Sequence, residues 1–155
     1  MADVQSISHS AICVHDLQEA EEFYCGLLGA HSHNGVNFIT EDTIKGRSVH
    51  KSIVLEDFLI ALALAGDFMP MPPDGQLRGA HGFRHAFTVS RARFEEIRQS
   101  LARGHVACEG PVAHPDKGPF GESIYFKDPS GNFLEILWRR DEGVAYDAPA
   151  VADGD

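Results

Sequence analysis

The sequence predicts an α+β domain made of two paired βαβββ modules that curve a mixed sheet around a shared cleft. Three observations carry that prediction. The first is an internal repeat: adding 75 to a position superposes Gly29 on Gly104, Val14 on Val89 and Phe58-Leu59 on Phe133-Leu134. The second is a break between the halves, where Pro70, Pro72, Pro73, Asp74 and Gly75 form a turn-rich stretch without periodicity. The third is a hairpin late in the chain, in which Asp128-Pro129-Ser130-Gly131 separates two runs rich in aromatic and β-branched residues. At 155 residues, 43% hydrophobic and 23% charged, the chain has the make-up of one globular domain.

Taken in order, residues 1–5 are an N-terminal extension and residues 6–66 the first module. That module reads as a strand over 6–14 and a helix over 17–28, with Asp16 placed to cap the helix and Gly29 to stop it. Strands near 35–40, 48–55 and 58–65 follow. Residues 67–80 are the linker, and residues 81–140 the second module, with a strand over 83–90, a helix over 93–102 and Gly104 after it. Its strands are expected near 105–109, 123–127 and 133–138. From about residue 141 the chain turns acidic and rich in Ala, Gly and Asp, which reads as a flexible tail over 141–155.

The charge balance removes several classes of function. Thirteen Lys and Arg against 23 Asp and Glu give a formal net charge of −10, which opposes binding to nucleic acid or to anionic lipid. No apolar run approaches the roughly 20 residues of a spanning helix, and Met1-Ala2-Asp3-Val4-Gln5 lacks a signal-peptide pattern, so a soluble cytoplasmic protein without a membrane partner is expected. Cys13, Cys25 and Cys108 are odd in number and widely spaced in apolar surroundings, which fits reduced core thiols.

Glu135 is the anomaly of the hairpin. Alternation puts Phe133, Glu135 and Leu137 on one face of a strand and Leu134, Ile136 and Trp138 on the other. An ionised carboxylate in such a strand must be paired, hydrogen-bonded or bound to metal. The offset of 75 matches it to Ile60, so the first module does without the acid. Glu135 is therefore read as a functional residue, with His9 and His85 on the first strands as its candidate partners.

Three stretches resemble the vicinal oxygen chelate superfamily, which includes glyoxalase I, methylmalonyl-CoA epimerase, extradiol dioxygenases, fosfomycin-resistance enzymes and bleomycin-binding proteins. They are Ser8 to Leu17 leading into Glu22-Phe23-Tyr24-Cys25-Gly26-Leu27-Leu28-Gly29, then Arg84-His85-Ala86-Phe87-Thr88-Val89, and Tyr125 to Glu135. The resemblance spans about residues 6 to 140. It implies His9, His85 and Glu135 as ligands of one divalent metal ion, Fe²⁺, Mn²⁺ or Zn²⁺, with positions left open for a small-molecule substrate. It also implies Tyr125 as a catalytic contact to substrate, and a homodimer. Relatives with four protein ligands supply a further side chain where this chain has Ile60, so the three-ligand dioxygenases and fosfomycin-resistance enzymes are the nearer pattern.

The repeat offers a specific rival to that triad. An offset of 75 matches His9 to Arg84, not to His85, and in a regular strand it turns Arg84, Ala86 and Thr88 toward the cleft and His85, Phe87 and Val89 toward the helix. A bulge near residue 84 would bring His85 back. Without one, Arg84 is a substrate-binding residue that pairs with Glu135 or with an anionic ligand. His114, in a loop over 113–122 able to act as a lid, is a second candidate for binding substrate, while His50 and His81 are candidates for an acid/base. Three functions remain open: a metal-dependent dioxygenase, which is favoured; a metal-dependent lyase, isomerase or thiol transferase; and a metal-free small-molecule-binding protein.

Overall fold

The computed structural model describes residues 7–33, 50–56, 58–65, 77–78 and 83–141. The first module holds β1 (His9–Val14), α1 (Leu17–Leu28), β2 (His31–Ser32), β3 (His50–Leu55) and β4 (Phe58–Leu64). The second holds β5 (Arg84–Thr88), α2 (Arg91–Arg103), β6 (Cys108–Ala113), β7 (Phe120–Lys127) and β8 (Phe133–Arg139). Each module folds into its own four-stranded mixed sheet, in the orders β1-β4-β3-β2 and β5-β8-β7-β6. The opening strand of each module lies parallel to its last strand, and the remaining pairs are antiparallel. This is the paired βαβββ architecture that the repeat predicts.

The helices start and stop where their end residues require. Asp16 Oδ1 accepts a hydrogen bond from the Glu19 amide at 2.8 Å, and Gly29 takes the left-handed φ of 75° that ends α1. Ser90 caps α2 in the same way through the Arg93 amide. Ala20 and Tyr24 on α1, and Phe94, Ile97 and Leu101 on α2, bury a stripe against the sheets. The core beneath them takes Ile12, Val14, Ile60, Leu62, Ile124, Phe126, Leu134 and Ile136.

The modules are tied by polar contacts as well as by apolar packing. Tyr24 on α1 donates its hydroxyl to Asp128 Oδ2 at 2.8 Å, the Ser130 hydroxyl accepts from the His15 amide at 2.9 Å, and Asn132 Nδ2 donates to the Cys13 carbonyl at 2.8 Å. Asp128 also accepts from the Ser130 and Asn132 amides and from Asn132 Nδ2, so its buried carboxylate is fully engaged. Burial and the Asp128 carboxylate push the Tyr24 phenol far above its usual value. Asp128 to Gly131 therefore makes the predicted turn and also the junction of the two modules.

Several expectations shift. Strand β6 runs from Cys108 to Ala113 and passes through Gly110-Pro111, with a register break between Glu109 and Val112. It is the register break that accommodates a proline, which has no N–H to donate to the ladder. Cys13 and Cys108 are exposed and so are not core thiols, while Cys25 is half-buried and packs against the main core. Residues 1–5, the strand near 35–40, nearly all of the linker, the tail beyond 141, His81 and the His50 side chain lie outside the described residues.

The repeat also carries a one-residue correction. His9 pairs with Leu59 and Arg84 with Phe133, so the last strands superpose at an offset of 74, while the opening strands keep 75. The mate of Glu135 is thus Ala61, across from Ala11 as Glu135 is across from Ala86. Ile60 matches Leu134 instead, and both are fully buried in the main core.

Candidate functional site

Strand β5 runs in unbroken register from Arg84 to Thr88 against Phe133 to Leu137, with no bulge at residue 84. Arg84 and Ala86 consequently share the face of Glu135, and His85 takes the opposite phase. Tyr125 sits directly across the β7–β8 ladder from Glu135. Three side chains meet there. Arg84 Nε is 3.5 Å from Glu135 Oε2, and the Arg84 guanidinium carbon lies 4.9 Å from the centre of the Tyr125 ring. The pair is half-buried, with side-chain exposures of 28% for Arg84 and 13% for Glu135. A separation of 3.5 Å is longer than a good N–H···O bond, so the guanidinium is held by charge and by the ring face without a tight fork. Arg84 Nη1 is buried and has no hydrogen-bond partner among the described residues.

The two candidate histidines go elsewhere. His85 Nε2 forms a hydrogen bond with Ser10 Oγ at 2.6 Å, which bridges the facing edges β1 and β5. Its ring meets Phe83 edge-on at 4.8 Å and stacks on Phe87 at 6.5 Å. Desolvation lowers the His85 pKa, opposed by the nearby charge of Asp128. His9 is exposed and pairs through Nδ1 with Ser8 Oγ at 2.6 Å. His114 is half-buried and bonds through Nε2 to the buried Ser123 Oγ at 2.7 Å, two residues before Tyr125 and on the same face.

A divalent metal therefore meets an unsuitable donor set. The position that completes a triad with His9 and Glu135 carries a guanidinium, which is cationic and has no lone pair to give. His85, the neutral donor of the expected triad, has its side chain directed to Ser10 on the helix side. Among the described residues no group of three or more His, Cys, Asp or Glu side chains is placed to hold a metal ion. The Arg84–Glu135 pair is thus the arrangement that the repeat offered as the rival to the triad.

Two further features frame the site. A cavity of about 970 Å³ opens between the edges of β1 and β5, lined by His9, Ser10, Phe58, Arg84, His85 and Phe87 among others. Leu77 packs with Tyr125, Phe133 and Val112 into a small second core. The loop between β6 and β7 is short and clamped: Arg140 donates to the carbonyls of His114, Pro115, Gly118 and Phe120. Sequence reasoning missed Ser10, although one signal was available. Ser10 is the repeat mate of His85 at the offset of 75, so the two modules touch through equivalent positions.

The family model described as the Glyoxalase/Bleomycin resistance protein/Dioxygenase superfamily matches residues 6–136. Among solved structures, a glyoxalase/dioxygenase from Nostoc punctiforme superposes with a TM-score of 0.67 at 21% identity, covering 90% of this chain and 98% of that one. The fosfomycin resistance protein FosX from Mesorhizobium loti gives 0.61 at 18% identity, covering 86% and 91%. A virulence protein from Salmonella typhimurium gives 0.59 at 23% identity, covering 88% and 98%. No curated protein matches the chain. Among the described residues no helix is long and apolar enough to cross a membrane. The match over residues 6–136, on a fold of two paired βαβββ modules, means that the chain belongs to the glyoxalase/bleomycin resistance/dioxygenase superfamily.

Proposed function

We propose that the protein is a metal-independent small-molecule-binding member of its superfamily, with the Arg84–Glu135 pair in place of a metal centre. The observation that carries this reading is the unbroken register of β5, which turns Arg84 to Glu135 and His85 to Ser10. A fixed guanidinium supplies positive charge and directional N–H donors but no open coordination position, which suits recognition better than Lewis-acid chemistry. Tyr125, 5% exposed and stacked under that guanidinium, acts as a platform that fixes it. Ligand enters from the cavity between β1 and β5. The protein works as a cytoplasmic homodimer.

The competing reading is a metal-dependent enzyme, of the dioxygenase type or of the lyase, isomerase or thiol-transferase type. It rests on the likeness to structures named as a glyoxalase/dioxygenase and as fosfomycin resistance proteins, and on the presence of His9 and Glu135. Metal analysis of protein purified without chelator separates the two. The binding reading expects well under one equivalent of Fe, Mn or Zn per chain, and an unfolding midpoint that added metal does not move. One equivalent of tightly held metal, lost in Glu135→Gln, would overturn it.

A further inference from the structure

We propose that the open edge of β5, inside the cavity between β1 and β5, binds a short peptide in extended form, which adds to the second sheet as a further strand. The proposal rests on the reading of that cavity as the ligand's point of entry and adds the class of ligand.

The backbone phase of β5 fixes which groups face the cavity. The Val89 amide donates to the Leu137 carbonyl at 2.8 Å, so His85, Phe87 and Val89 turn their backbone groups to β8. Arg84, Ala86 and Thr88 turn theirs the other way, into a cavity that residues 83–90 line without interruption. Among the described residues no other strand pairs with that edge. Ala86 and Thr88 are small and exposed, so a second backbone can approach them closely.

The other three sheet edges are blunted, as exposed edges usually are. Strand β2 is two residues long, and β6 carries Pro111 and a register break. Strand β1 is capped by the second module: Asn132 Nδ2 donates to the Cys13 carbonyl, and Ser130 Oγ accepts from the His15 amide. At the offset of 75, Thr88 and Ser90 are the mates of Cys13 and His15. The turn that caps β1 has five residues between Lys127 and Phe133, while its counterpart between Leu55 and Phe58 has two. Glu56 of that shorter turn lines the cavity but caps neither the Thr88 carbonyl nor the Ser90 amide. The cavity is thus the place that a longer turn would fill, continuous with the junction of the modules, and the groups left open there are those a peptide backbone satisfies. From Ala86 to Ser90 the edge is about 13 Å long, which matches a tetrapeptide. Phe87 and Val89 share the helix-side phase with Leu28, Leu55 and Phe58 beyond them, so alternate ligand side chains should be apolar.

Titration calorimetry and amide hydrogen exchange with acetyl-Thr-Val-Thr-Val-amide test the assignment. Saturable binding of one peptide per chain is expected, with exchange of the Ala86 and Thr88 amides slowed at least tenfold and that of Phe87 and Val89, already turned to β8, unchanged. Two forms of the peptide, N-methylated at both threonines or at both valines, are expected to differ at least tenfold in affinity, since only one set of amides faces β5. Thr88→Pro removes an amide that β8 does not use, so it should keep the native circular dichroism and weaken peptide binding at least tenfold. No saturable binding, or equal binding of the two methylated forms, would overturn the proposal. So would slow exchange of Ala86 and Thr88 in the free protein: independent of protein concentration, it would assign the edge to another segment of this chain, and rising with concentration, to a second copy. Each of these results leaves the metal-independent reading standing, which metal analysis of the same sample decides separately.

Discussion

The Arg84–Glu135 pair makes a prediction whose size follows from its geometry. At 3.5 Å and an effective dielectric near 20, two unit charges attract by about 4.7 kcal/mol. Part of that is offset by desolvation, since 28% and 13% exposure leave the pair between surface and core. The net coupling should therefore lie at about 1–2 kcal/mol, above an exposed pair and below the loss from breaking a fully buried one. A double-mutant cycle with Arg84→Met, Glu135→Leu and both together isolates it. Each single change strands one charge on a largely apolar face and is expected to cost about 2–3 kcal/mol, while the double variant falls short of their sum by the coupling. For a chain of this length, 2 kcal/mol corresponds to a midpoint lowered by about 4–8 °C. Urea unfolding of the four proteins at constant m-value is the measurement. Additivity within about 0.3 kcal/mol would refute a direct pair, and metal ions that stabilise the native chain but not Glu135→Leu would assign the carboxylate to a metal.

Three other expectations are independent of the ligand. Tyr24→Phe removes the hydroxyl that joins α1 to the buried Asp128, and should cost about 2 kcal/mol by urea unfolding, because the lost bond is to a charged acceptor. Gly121→Ala puts a Cβ 2.3 Å from Trp138 Cε2 and Cζ2; that ring is held by Glu122 and by the Arg91 guanidinium, so the strain should cost about 1–3 kcal/mol and show in near-UV circular dichroism. His85 has a folded-state pKa below the ordinary 6.5, so the unfolded chain takes the proton first: its contribution to stability is complete above that value and declines as pH falls through it toward the folded pKa. In His85→Gln, the fall in unfolding midpoint between about pH 7 and 5 should be shallower than in the native chain; an unchanged slope would show that His85 does not carry it.

How much of this was legible before the structure depended on which residues broke symmetry. The helix over Leu17–Leu28, its Asp16 cap and its Gly29 stop are local chemistry, and they appear as predicted. The phase of β8 was legible because Glu135 marks one face, leaving Leu134 and Ile136 to the core. The register of β4 was not, since Phe58-Leu59-Ile60-Ala61-Leu62-Ala63-Leu64 is apolar in both phases and alternation cannot choose between them. The slip from 75 to 74 went unseen there, and Ile60 was matched to Glu135 in place of Ala61. Contacts such as His114 with Ser123, or Leu77 with Tyr125, depend on a loop and a linker whose paths periodicity does not constrain.

The choice between Arg84 and His85 is where the two kinds of sequence argument parted. Likeness to a family assigns roles by residue type, and it selected the histidine. The internal repeat assigns roles by strand phase, and it selected the arginine. Phase is the stricter constraint, because moving His85 onto the face of Glu135 without a bulge would flip every residue of β5 and expel Phe87, which packs against the core. Arg84 at that position carries its positive charge on the chain, so the charge opposite Glu135 does not depend on a dissociable ion. The site is then expected to keep its electrostatics in chelator, and measurements with EDTA bear directly on it.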